Sequence, residues 1–164
     1  MRILEICEWL ESTALAVLVR ESSYGFPVLV GVHILGLIFS VGTLLWVDLR
    51  LLGLSLQRSR VSEVYRGLAP WFLGGFLVMF VSGATLFTGF ATSAYANLYF
   101  RIKLVALVLA GLNALAFHAL TQRASATWDT EPQPPAAVRL AGFSSIVLWT
   151  VVILAGRMIS YTMF

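Results

Sequence analysis

Histidine and cysteine are nearly missing from this chain. Its 164 residues include one cysteine, Cys7, and two histidines, His33 and His118. A single cysteine closes no internal disulfide and builds no thiolate metal cluster, so Cys7 reads as a small apolar residue. Charge is scarce too. Only 12% of residues are Asp, Glu, Lys or Arg, while 59% are hydrophobic. Soluble domains carry about 25% charged and about 45–50% apolar residues. This chain therefore lacks the polar groups to cover a water-facing surface. It has no glycine-rich phosphate loop, no nucleophile–base set and no zinc spacing. The net charge of +3 arises without a basic stripe interleaved with aromatics, which argues against nucleic acid as a partner.

What the chain has instead is long apolar runs without the alternation of a strand. A spanning helix needs about 20 such residues, and four runs meet that length, at about 24–49, 69–92, 101–121 and 137–161. The expected fold is all-α, a single membrane domain over 1–164 built as an integral membrane four-helix bundle. Pro27 and Pro70 sit at the starts of the first two runs, where a missing N–H costs little. The segment "DTEPQPP" before the fourth is the clear helix breaker. Residues 1–21 differ. Ile3, Ile6, Cys7, Leu10, Ala14, Val17 and Leu18 fall at helical spacing, with Glu5, Glu8 and Glu11 off that stripe. An acidic start without a cationic region does not read as a signal peptide. The segment predicts one amphipathic helix lying in the interface.

Basic residues in short loops set orientation. Four spans put both termini on one side. Arg50, Arg58, Arg60 and Arg66 crowd the first loop, and Arg123 and Arg139 flank the third, against Arg2, Arg20, Arg101, Lys103 and Arg157 on the termini side. The expectation is an inner (plasma) membrane protein with periplasmic termini and cytoplasmic arginine loops.

Each span carries one stripe of small or polar residues, which is how membrane helices approach closely. His33, Gly36, Ser40 and Thr43 share a face of the first. Gly75, Met79, Ser82 and Gly83 lie in the second, Lys103, Leu107, Gly111, Ala114 and His118 in the third, and Gly142, Ser145, Trp149 and Gly156 in the fourth. Both histidines are thus expected to face the interior. A membrane histidine can serve as interhelical glue worth about 1 kcal/mol, yet ionisable groups at depth are rare and usually functional. Imidazole on a helix is a common haem ligand, and Gly36, one turn from His33, predicts clearance for a flat macrocycle.

At about 1.5 Å rise per residue, His33 lies roughly 13 Å in from the termini side and His118 roughly 25 Å in. That offset argues against one haem held by both. Met79 falls near the level of His33 and offers a sixth ligand, or none is used; His118 is a second site or a hydrogen bond. Arg101, Lys103 and Arg157 cluster at the outer end, where they anchor to headgroups or neutralise haem propionates. Asp48, near Arg50 and Arg123, predicts an ion pair closing the inner end. Trp46, Trp71, Tyr95, Tyr99 and Tyr161 read as interfacial aromatics.

The stretches "CEWLESTALAVLVRESSYGFPVLVGVHILGLIFSVGTLLWVDLRLLGL", "FRIKLVALVLAGLNALAFHAL" and "AAVRLAGFSSIVLWTVVILAGRMISY" resemble an uncharacterised family of small bacterial four-span membrane proteins, over nearly the whole chain. A looser likeness runs to the copper-resistance D membrane family, through a histidine–glycine first span and a later span led by "KL". Another runs to the small haem-binding membrane protoporphyrinogen oxidases, through a first-span histidine at the place of His33 and a third-span lysine at the place of Lys103. That last resemblance implies haem at His33 and a role for Lys103. Two functional classes follow. One is a haem b-binding subunit in electron transfer or redox chemistry, partnered by the lipid bilayer and by a membrane redox partner or quinone. The other is a non-catalytic membrane protein, a metal or small-solute permease or an assembly partner, with structural histidines. Association into a homo-oligomer is compatible with both.

Overall fold

The computed structural model describes residues 3–163, and for residues 120–127 the backbone alone. The described residues form helices α1 (Ile3–Glu11), α2 (Ala14–Glu21), α3 (Gly25–Leu51), α4 (Val61–Gly89), α5 (Ala91–Ala96), α6 (Leu98–Trp128) and α7 (Ala136–Thr162), and no strand. Four of them, α3, α4, α6 and α7, are long and apolar enough to cross a membrane. The protein is therefore an all-helical, multi-pass membrane bundle.

The four spans are arranged as two antiparallel hairpins, α3 with α4 and α6 with α7, joined mainly by α3 against α7. The α3–α4 contact is backbone-close. A Cβ on Gly75 would lie 2.8 Å from the Gly36 carbonyl oxygen, and one on Gly36 would lie 3.0 Å from the Met79 nitrogen. Only glycine permits that approach. The core has two parts. Val47, Leu51, Val61, Phe72, Trp128 and Val138 pack at one end of the bundle. Ala106, Ala110, Trp149 and Val152 pack further along. Large apolar residues such as Leu77, Phe80, Val108 and Leu154 remain exposed, as a lipid-facing surface requires.

Helix bounds depart from the expected spans where capping decides them. α4 begins at Val61, eight residues before the expected start, because Asp129 caps it. Its Oδ1 accepts from the Ser62 backbone N–H (2.8 Å) and its Oδ2 from Ser62 Oγ (2.6 Å). Pro70 therefore lies inside the helix, not in its first turn. There it only deprives the Arg66 carbonyl of one donor. α3 ends in a Schellman turn. The N–H of Gly53 bonds the Arg50 carbonyl, that of Leu54 bonds the Leu49 carbonyl, and Gly53 has φ +71°, a conformation natural to glycine.

The two ends, named inner for the one that carries the α3–α4 and α6–α7 connections and outer for the one that carries both termini, are tied differently. At the inner end Arg50 is fully buried; its Nε donates to the Ser59 carbonyl (2.9 Å) and its Nη2 to the Glu131 carbonyl (3.0 Å), joining both loops. At the outer end Glu11 Oε1 accepts from the N–H and hydroxyl of Thr92 at the start of α5. There too Arg20 donates to the Gly89 carbonyl and Asn97 Nδ2 to Thr162 Oγ1.

The N-terminal segment is two helices, not one. Thr13 breaks it, accepting from the Ala16 N–H as the N-cap of α2. The stripe expected to define one apolar face mostly points away from the protein. Ile3, Ile6 and Leu18 are exposed, while Cys7, Ala16 and Val19 make the buried contact. α1 packs on α5, and α2 on α4 and α3, so the segment roofs the outer end and presents its apolar side to the interface.

Candidate functional site

The four spans enclose a half-open cavity of about 340 Å³ toward the roofed end, at the small end of the ~300–1,000 Å³ typical of ligand pockets. Every span contributes: His33 from α3, Met79 and Gly83 from α4, Lys103 from α6, and Gly156 and Arg157 from α7. Further along the bundle, Phe76 and Trp149 pack with ring centroids 5.0 Å apart. The upper wall is aromatic. Phe87 stacks on Phe100 at 5.3 Å, and Phe26 meets Phe90 edge-on at 5.5 Å. Toward lipid the rim is apolar, with Ile34 and Ile153 exposed.

His33 is half-buried and its ring is fixed. Nδ1 lies 2.9 Å from Ser82 Oγ, whose hydroxyl is also within reach of the Val78 carbonyl at 2.6 Å and the Met79 carbonyl at 3.3 Å. With the hydroxyl proton given to a carbonyl, Ser82 accepts from Nδ1–H and the ring's lone pair lies on Nε2; with it turned to the ring, the roles reverse. A second hydrogen bond that fixes tautomer and ring orientation is the usual support of a metal-ligating histidine. Gly83 makes room for the ring, since a Cβ there would lie 3.1 Å from His33 Cε1.

Lys103 reaches across Gly156, whose Cβ would sit 3.5 Å from Nζ. The lysine is half-buried, and among the described residues its ammonium has no hydrogen-bond or ion-pair partner. An unpaired cation in an apolar wall is expensive, so the cavity favours a ligand that carries negative charge. Arg157 is exposed at the mouth, its guanidinium 4.8 Å above the Tyr161 ring and its Nη2 donating to Tyr161 OH (2.8 Å). It is held there by tyrosine and not by Glu21, the other partner the sequence offers.

His33, Met79, Lys103 and Arg157 thus meet in one cavity. Three other candidate positions do not. Gly36 is buried against α4, with the Gly75 carbonyl and Met79 where clearance for a ligand was expected; it is a helix-packing residue. Arg101 turns away, donating from Nε to the Tyr95 carbonyl and lying 5.4 Å from the Tyr95 ring. His118 is exposed, because the inward face of α6 runs through Ala106, Ala110 and Asn113; Gly111 and Ala114 face outward with it. Met79 keeps its sulfur in a hydrogen bond from Ser40 Oγ at 3.0 Å. The residues that spacing alone did not single out are Ser82, Gly83 and Gly156. Their signal was present in the small-residue stripes, but it does not separate a glycine that packs from one that makes space.

The expected Asp48–Arg50 pair does not form. Asp48 Oδ2 accepts from Ser145 Oγ on α7 at 2.7 Å, while Arg50 is spent on backbone carbonyls. The side chain of Arg123, the other expected partner, lies outside the described residues. The described residues hold no group of three or more His, Cys, Asp or Glu placed to bind a metal ion.

No curated protein and no solved structure matches the chain. The model of one family of unknown function, DUF6644, matches residues 6–162. That span takes in most of the roof helices, all four membrane helices and every lining residue of the cavity except Met163, and the chain belongs to this family.

Proposed function

We propose that the protein is a haem b-binding subunit of the inner membrane, working in electron transfer or redox chemistry, with His33 as the protein ligand to iron. The observation that carries this reading is an imidazole in an apolar cavity, that of His33, held through Nδ1 by Ser82. The donor set fits. A neutral imidazole suits haem iron, and the unpaired Lys103 and the rim guanidinium of Arg157 suit propionates. Because the cavity is half-open, it need not enclose the whole macrocycle. Met79, already bonded by Ser40, is left out of the ligand set. Bound haem would supply a one-electron carrier within the membrane; the chain's own residues orient it, neutralise its acidic edge and keep water off it with the Phe87–Phe100 and Phe26–Phe90 pairs. The looser likeness to the haem-binding membrane protoporphyrinogen oxidases, at His33 and Lys103, points the same way. A membrane redox partner or quinone then exchanges electrons with it.

One observation favours the other class. The His33–Ser82 bond already satisfies one ring nitrogen, as structural glue would. The two separate by spectrum. Protein purified from haem-supplied cells should show a Soret band, lost in His33→Ala with the fold intact; absence of the band from the wild type overturns the haem reading in favour of a permease or assembly partner. Orientation is proposed with periplasmic termini, because Arg58, Arg60, Arg66 and Arg139 are exposed at the opposite end. A reporter fused at Gln57 that reports a periplasmic location would reverse it.

A further inference from the structure

A second titratable group lies in the membrane, outside the cavity. Asp48 is 4% exposed, in the seam where α3 meets α7. The approach is tight: a Cβ on Gly142 would lie 3.0 Å from the Asp48 carbonyl oxygen and 3.0 Å from Leu51 Cβ. The only partner of its carboxyl among the described residues is Ser145 Oγ, which donates to Oδ2. The charged and polar groups around it are engaged elsewhere or face solvent. On α3, Arg50 holds the Ser59 and Glu131 carbonyls. Past α6, Asp129 caps α4. On α6, Asn113 donates to the Ala141 carbonyl. On α7, Arg139 is exposed, as is Arg66 on α4. Among the described residues, which do not include the Arg123 side chain, a carboxylate in this place would be a buried charge without a counter-charge, which membrane proteins pair or neutralise.

We propose that Asp48 and Ser145 form a proton-binding latch: the seam between α3 and α7 closes on Asp48 as a neutral carboxylic acid and is loosened when the acid loses its proton. The step is a simple exchange. The carboxyl O–H bond breaks, the proton passes to water at the inner end, and the carboxylate left behind requires hydration that the seam does not provide. Ser145 is a donor to either form, so it positions the carboxyl without setting its charge. The seam is the main contact between the two hairpins, and the same two helices carry Ile34 and Ile153 at the cavity rim. A proton at the inner end therefore bears on how the whole bundle is held. The inference is independent of haem binding.

The test uses full-length protein in lipid nanodiscs. Infrared spectra of the wild type should show the carbonyl stretch of a protonated carboxylic acid, absent in Asp48→Asn and shifted to higher frequency in Ser145→Ala, where its hydrogen bond is removed. The wild-type thermal midpoint should fall as the buffer is taken from mildly acidic to alkaline. A group that holds its proton more tightly in the folded state than in the unfolded one stabilises the fold fully below its unfolded titration range, and that contribution is lost as pH rises through the folded one. Asp48→Asn should keep the wild-type midpoint at mildly acidic pH and lose the alkaline fall. If Asp48→Asn does not fold, the Ser145→Ala band shift still decides. A wild type with no such band means an ionised Asp48 and overturns the latch; a band indifferent to Ser145→Ala means the acid is not the one Ser145 holds and overturns it too.

Discussion

The two halves of the bundle handle buried polarity in opposite ways. At the inner end Arg50, fully buried, spends two of its nitrogens on loop carbonyls, Asp129 caps α4 and Asp48 takes the Ser145 hydroxyl. At the outer end the polar groups are left incomplete. His33 has one ring nitrogen bonded, to Ser82, and Lys103 has no partner among the described residues. Buried polar groups are nearly always satisfied; the inner end comes close to that, with Arg50 Nη1 the one orphaned atom among the described residues, whereas the cavity leaves a whole ammonium group without a partner among them.

That contrast can be broken from either side, and the largest effect should come from the helix contact beneath the cavity. Gly75→Leu drives a side chain into the α3 backbone at Gly36 and Ser40. It should cost about 3 kcal/mol or more, the upper range for overpacking, and be seen as loss of folded protein in denaturant titration. A near-wild-type Gly75→Leu would mean that α3 and α4 are not locked there. Arg50→Met should come next, at roughly 2–3 kcal/mol, because two buried carbonyls lose charged donors; the same titration reads it. The orphaned Nη1 of Arg50 is the reason the loss should fall short of three full hydrogen bonds.

Lys103→Met sharpens the comparison because its sign is reversed. Removing an unpaired ammonium from an apolar wall should raise the thermal midpoint of ligand-free protein by a few degrees, on the order of 1 kcal/mol. The same variant should weaken binding of an anionic ligand, read by titration with haem. A fall in the ligand-free midpoint would show that Lys103 has a structural partner. The smallest effect belongs to His118→Ala. Its side chain is exposed on α6, away from the cavity, so stability should change within about 0.5 kcal/mol, as for surface substitutions, and any haem spectrum should be unchanged. A lost Soret band in His118→Ala would move the site to the other end of the bundle.

The amino-acid sequence by itself determined the four membrane helices, since an apolar run about 20 residues long has few other fates. It also determined that His33 faces inward, and that Met79 lies near its level with Lys103 somewhat above, because 3.6 residues and 1.5 Å per step fix face and depth along a single helix. Rotation and closeness between helices it did not determine. His118 shares an apparent stripe with Lys103, yet over fifteen residues a small rotational drift puts it outside. Gly36 and Gly83 look alike in the sequence; α4 lies against the first, and the His33 ring lies against the second. Asp48 has Arg50 two residues away, but two residues on a helix point to different sides, so the carboxyl meets Ser145, 97 residues distant. Periodicity belongs to one helix and was legible; which helix comes within hydrogen-bond reach depends on the packing of all four, and only the tertiary structure decided it.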